Sequence, residues 1–315
     1  MKKGRFSLVA HPWLFMLVFL LLTPVISTLA AIFLVYVAKL PGEAPTFGFW
    51  LNALYKSLMV FLVAPFVLGY YRLSHSYAAY LSEIRLTRWQ PALKLILLGV
   101  SCWLILALCQ VVCTFIYRLS QGGAIDLAFL RSAFPLGSEF PPQSFGWLNS
   151  TTSVLEEITF RGLMLALFLR FYTPPKAVLF TALGFGAFHL MGLLDGAAPV
   201  WVIGQVIWAA ILGLCYGYIT LKTGSLLPAM LIHFLCNLFI YPLTAYVQDN
   251  ASMLVVVLYG VTLTMGVIPA ALMSLWARAL TSWWFEPRSL TVKTSPTNEG
   301  TTQIDEYQNV SQNFQ

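Results

Sequence analysis

An all-α bundle of membrane-spanning helices, about eight of them around a central polar cavity, is the fold class the sequence predicts. Three observations predict it. Of the 315 residues 59% are hydrophobic and only 10% charged, against roughly 25% charged in ordinary soluble chains. The mean hydropathy of +0.77 comes from repeated apolar runs long enough to cross about 30 Å of hydrocarbon, which takes about 20 helical residues. The basic residues are distributed unevenly between the loops that join those runs.

Eight apolar segments can be marked: 13–38, 47–70, 93–117, 147–170, 177–194, 199–221, 225–247 and 252–277. The first follows Met1-Lys2-Lys3-Gly4-Arg5, a basic start like that of a signal peptide. Its apolar run exceeds the roughly 7–15 residues of a cleavable h-region, so a retained helix is expected. With eight spans both termini and the even loops share one side. That side holds thirteen of the 18 basic residues, the other only Lys39, Arg118 and Arg131, and Lys56 and Arg161 fall inside spans. The bias places both termini in the cytoplasm. It also accounts for the net charge of +6 as a topology signal and not as a nucleic-acid surface. The protein is expected to be integral to a membrane, with residues 1–285 as the membrane domain.

The long loop from Arg118 to Phe145 contains Gly122-Gly123, Pro135 and Pro141-Pro142, all chain breakers, and a short interfacial helix is expected around Asp126 to Ala133. Residues 286–315 turn polar and rich in Thr, Asn and Gln, the composition of a disordered cytoplasmic tail. The five cysteines lie inside apolar segments without C-x-x-C spacing and read as small hydrophobes. No solenoid repeat, glycine-rich phosphate loop or G-x-S-x-G elbow occurs. Gln110 and Gln205 are expected to hydrogen-bond between helices. Lys56, midway along the second span, is expected to snorkel or to pair structurally.

The fourth span carries Glu156-Glu157-Ile158-Thr159-Phe160-Arg161-Gly162, three ionisable groups where lipid-embedded charge is costly and commonly marks a functional cavity. Glu157 and Arg161 are four apart, acid before base, and should pair on one helix face. Glu156 is rotated about 100° away and is left available. Two other spans bring polar groups to a similar layer: His189 in the fifth, and His233 with Asn237 one turn later in the seventh. From the span ends and a rise of about 1.5 Å per residue, Glu156, His189 and Asn237 lie roughly 18–21 Å deep and Arg161 and His233 about 12–13 Å. A carboxylate in such a cavity can activate water, and imidazole or carboxamide N–H groups can stabilise the oxyanion formed when water attacks an amide. Two histidines and a glutamate can instead hold zinc, although the H-E-x-x-H spacing is absent. A binding, immunity or transport protein could use the same cavity without catalysis.

Together, Glu156-Glu157-x-x-x-Arg161, Phe185-x-x-x-His189 and His233-x-x-x-Asn237 resemble, in order, the three motifs of the CAAX protease and bacteriocin-processing (Abi) family. The approach Thr223-Gly224-Ser225-Leu226-Leu227-Pro228 is closer to bacterial members than to the prenyl proteases of Ras-converting type. The resemblance spans about Leu155 to Tyr241. It implies a glutamate-dependent intramembrane endopeptidase without a metal or other cofactor, acting on a peptide or membrane-anchored protein. By the same resemblance Glu156 is the general base, His189 assists at the water, His233 and Asn237 form the oxyanion hole, and Glu157 with Arg161 supports the site.

Overall fold

The computed structural model describes residues 8–44, 46–68, 77–133, 145–194, 196–239 and 266–284, and every regular element among them is helical. Ten helices organise this part of the chain. They are α1 (Pro12–Val37), α2 (Phe47–Val67), α3 (Tyr77–Glu83), α4 (Ala92–Ser120), α5 (Leu127–Ala133), α6 (145–169), α7 (Pro174–Leu193), α8 (Pro199–Thr223), α9 (Leu227–Phe239) and α10 (Ile268–Trp284).

Local chemistry sets many of their ends. Proline occupies the first turn of α1, α7 and α8, where its fixed φ suits a helix and its missing N–H is no loss. Gly224 ends α8 at φ 68°, its N–H donating to the Thr220 carbonyl, a left-handed stop that a side chain would oppose. Asp126 caps α5 by accepting the Phe129 N–H at 2.8 Å, which realises the short helix expected in the long loop.

The outside of the bundle is apolar. On α1, Leu17, Leu21, Val25 and Leu29 are all more than half exposed at a spacing of four, and Leu104, Leu108 and Ile116 are likewise exposed on α4. A helix apolar towards both neighbours and surroundings suits lipid better than water. Helix hydroxyls are spent inside their own helices, as in Thr23 to the Phe19 carbonyl, Thr114 to Gln110 and Thr181 to Ala177, so that few donors face hydrocarbon. Five helices, α1, α2, α4, α7 and α8, are long and apolar enough to cross a membrane. Helix α6 has the length but carries Glu156, Glu157 and Arg161.

Two apolar cores hold the bundle. One joins α1, α2, α3, α6 and α7 around Met59, Val60, Phe160, Met164, Phe168 and Phe185. The other joins α4, α8, α9 and α10 around Leu98, Leu106, Tyr216, Ile232 and Met273. Helix α7 packs along α8, α9 lies against both α4 and α6, and α2 bridges α1 and α6. The α7–α8 and α6–α9 contacts therefore stitch the two cores together. At one end of the bundle Arg170 pairs with Glu83, and the Lys94 ammonium donates to the Trp284 carbonyl at 3.0 Å. Loops expected on one side of the membrane thus share one end.

Three expectations change. The last span runs on to Trp284, beyond the expected end at 277, and encloses Arg278. Gln110 is fully buried with neither amide atom hydrogen-bonded among the described residues, so it does not make the expected interhelical bond. Helices α1, α2 and α6 each contain a π-helical stretch, at Phe33–Val37, Met59–Val63 and Ile158–Met164, where regular α-helix was expected. The tail from 286, residues 240–247 of the seventh span and 252–265 of the eighth lie outside the described residues.

Candidate active site

The site is built on α6, whose charged residues occupy the junction between α-helical 145–157 and the π-helical Ile158–Met164. Every residue from Glu157 to Leu165 is buried. No face of this turn is available for a solvated charge, so partners must come from the protein. Such widened turns in helices frequently sit at functional sites.

Glu157 is fully enclosed and serves two partners with one oxygen. Its Oε1 lies 3.1 Å from an Arg161 guanidinium nitrogen, the expected i, i+4 pair, and 2.8 Å from His233 Nδ1 on α9. The arginine contact is close enough for an ion pair but is not aligned as a hydrogen bond. Its guanidinium instead lies over the Phe185 ring, 4.2 Å from the centroid, and faces Tyr216 at 5.2 Å, both favourable cation–π placements. Since a carboxylate can only accept, His233 Nδ1 carries the proton of the 2.8 Å bond. A neutral His233 therefore presents a lone pair at Nε2, and becomes a donor there only as the imidazolium.

Glu156 points elsewhere, with 15% of its side chain exposed. Oε1 accepts from the Lys56 ammonium of α2 at 2.6 Å, and Oε2 stands 3.8 Å from His233 Nε2. The second distance exceeds a hydrogen bond. The structural pairing expected for Lys56 is thus made to the very carboxylate that seemed unpaired from its own helix. A crevice beside the pair is lined by Phe19 and Thr23 of α1, Tyr55, Lys56 and Met59 of α2, Glu156, Thr159 and Phe160 of α6, and Phe188 of α7.

His189 ends the α-helical part of α7 and is half-buried. Its Nδ1 donates to the Phe185 carbonyl at 3.0 Å, which fixes the tautomer and leaves Nε2 free to accept a proton. Phe185 stacks edge-on against both His189 and His233, at centroid distances of 5.0 and 5.7 Å. One ring thus contacts both histidines and Arg161. Asn237, one turn beyond His233, is exposed and is not enclosed with the buried ionic groups. Close approach of α7 and α8 depends on Gly186, where a Cβ would stand 2.6 Å from the Val206 carbonyl oxygen.

The structure therefore joins Glu156, Glu157, Arg161 and His233 directly, holds His189 to them through Phe185, and leaves Asn237 at the surface. Reasoning from sequence missed the Lys56 contact, the aromatic packing by Phe185 and Tyr216, and the π-helical turn. A lysine in mid-span was the one available signal, because an ammonium there needs an anion or a route to water. For zinc, no group of three His, Cys, Asp or Glu among the described residues is placed to hold a metal. A cation bound at Glu156 would have to displace the Lys56 ammonium.

Fold and site define an integral membrane protein, an all-α helix bundle with an ionic site buried between its helices. Residues 143–239, about a third of the chain, match the family described as Rce1-like, type II CAAX prenyl endopeptidase Rce1-like. The match contains all six polar motif positions and supports the CAAX protease and bacteriocin-processing family, whose members are intramembrane proteases. No curated protein and no solved structure matches the chain.

Proposed function

We propose that the protein is an intramembrane endopeptidase in which Glu156 activates the water that hydrolyses a peptide bond. The observation that carries this reading is the division of labour between adjacent carboxylates: Glu157 is consumed by Arg161 and His233, while Glu156 keeps one oxygen towards His233 and borders a crevice. Glu156 takes a proton from water as the water oxygen attacks the amide carbon. His233, as an imidazolium held by Glu157, donates to the developing oxyanion, and the Asn237 amide is exposed one turn further along the same helix for the same purpose. Collapse of the tetrahedral intermediate breaks the C–N bond, and Glu156 returns its proton to the departing nitrogen. The products are a carboxylate and an amine. His189 Nε2, left basic by its Nδ1 bond to Phe185, serves as the second proton acceptor near the water.

The substrate is a peptide or a membrane-anchored protein cleaved within the bilayer, with the protein in a bacterial plasma membrane and both termini in the cytoplasm. Three supports stand behind this: the family match over 143–239, the apolar exterior, and the concentration of basic residues in the even loops. The test is cleavage of quenched fluorescent peptides, and of membrane-anchored candidates, by purified protein in liposomes. Wild type should cleave, a chelator should leave the rate unchanged, and Glu156→Gln should lower kcat by about 10²–10⁴-fold, the usual contribution of a general base. Undiminished cleavage by that variant would remove Glu156 from the mechanism.

A further inference from the structure

We propose that Lys56, contributed by α2 and outside the family-matched segment, is a positioning residue for the catalytic carboxylate: it clamps Glu156 Oε1 so that Oε2 is aimed at the water beside His233. The inference rests on the peptidase reading and names a residue that the three motifs do not contain.

The first support is the geometry. Lys56 Nζ sits 2.6 Å from Glu156 Oε1, with the lysine side chain 8% exposed. Glu156 Oε2 faces His233 Nε2 at 3.8 Å. That gap is too long for a direct hydrogen bond, and a water seated against both atoms could bond to each. With Oε1 held by the ammonium, rotation of the carboxylate is restricted and the same oxygen is always presented. A general base has to be held within fractions of an ångström of the proton it removes.

The second support is how the crevice is lined. Thr23 and Thr159 donate to the carbonyls of Phe19 and Leu155 in their own helices, whereas Lys56 reaches across from α2 to Glu156. The third is charge pairing. Lys56 is the cation in contact with Glu156, as Arg161 is with Glu157, so each carboxylate of the buried cluster has its own counter-charge.

A purely structural lysine and a positioning lysine are separated by steady-state kinetics on folded variants. Lys56→Met keeps the length and removes the charge; Lys56→Arg keeps the charge with a different fork. Each is purified, checked for a wild-type gel-filtration profile and unfolding temperature, and assayed beside wild type and Glu156→Gln. The expected result for Lys56→Met is a fall in kcat of about 100-fold, the cost of a misplaced catalytic group, with KM within about threefold of wild type. Lys56→Arg should recover about tenfold of that loss.

A fully active Lys56→Met beside a dead Glu156→Gln overturns the positioning role and leaves the peptidase reading intact. A rise in KM with kcat preserved overturns it in favour of substrate binding. Misfolding of both Lys56 variants overturns it in favour of a structural pair. Cleavage by Glu156→Gln at the wild-type rate overturns the peptidase reading, and this role with it.

Discussion

Glu156 and Glu157 are neighbours in sequence and opposites in setting. Glu157 has no exposed surface, shares one oxygen between Arg161 and His233, and draws both partners from within residues 143–239. Glu156 borders a crevice, is partly exposed, and takes its partner from α2, a hundred residues earlier. The helix turns by about 100° between them, enough to put one against the α9 interface and the other at the opening. What differs is the freedom to react. Glu157 is surrounded by groups that depend on it, whereas Glu156 keeps an oxygen for something that is not protein.

That contrast predicts opposite signatures on neutralising each acid. In Glu156→Gln the loss is chemical: cleavage should drop by about 10²–10⁴-fold, while thermal unfolding in detergent shifts less than in Glu157→Gln, because the amide oxygen can still accept from Lys56 and Glu156 is the more exposed of the two acids. In Glu157→Gln the loss is structural. Arg161, 2% exposed, is left without its counter-charge, and breaking a buried pair this way costs about 3–5 kcal/mol. His233 keeps only a neutral amide oxygen as acceptor for its Nδ1–H in the same change. Thermal unfolding of the two variants side by side checks this, and equal destabilisation would dissolve the distinction between them.

What the sequence could reveal of this arrangement follows from what helical periodicity encodes. Periodicity fixes relations within one helix, so the Glu157–Arg161 pair and the shared helix of His233 and Asn237 were legible, as were the apolar runs that became α1, α2, α4, α7 and α8. Relations between helices depend on which faces meet. Depth arithmetic could bring Glu156, His189 and Asn237 to one layer with His233 about a turn away, but not decide that His233 would bond to Glu157 and only approach Glu156. Lys56 was visible as an anomaly and its partner was not, since α2 could have turned that face to lipid. The π-helical turn was hidden for another reason: an extra residue in one turn leaves the composition of an apolar stretch unchanged. Asn237 shows the limit from the other side, because i, i+4 spacing gave it the face of His233 without giving it the same burial.

The packing of the helices beside the two acids can be probed more gently. At Gly186 an added Cβ would meet the Val206 carbonyl at 2.6 Å and Ala210 Cβ at 3.0 Å, so Gly186→Ala should push α7 from α8 and cost about 1–3 kcal/mol. Since α7 also carries Phe185 and His189, activity should fall with stability. A variant that loses stability while retaining full activity would mean that the histidine does not depend on this close approach.

Tyr216 gives the smallest effect and a sharp test of the Glu157 side. Its ring lies 5.8 Å from that of His233 and 5.2 Å from the Arg161 guanidinium carbon, so the ring holds two groups of the cluster in place. Its hydroxyl is buried without a hydrogen-bond partner among the described residues, and a buried donor in that state contributes a desolvation cost of about 1–3 kcal/mol with no return. Tyr216→Phe keeps the ring and removes the cost. Stability should therefore hold or rise by about 1 kcal/mol, with cleavage unchanged, because nothing around Glu157 depends on that oxygen. A marked loss of cleavage would instead give the hydroxyl a part in binding substrate, and the enclosed side of α6 would then share in the chemistry assigned to Glu156.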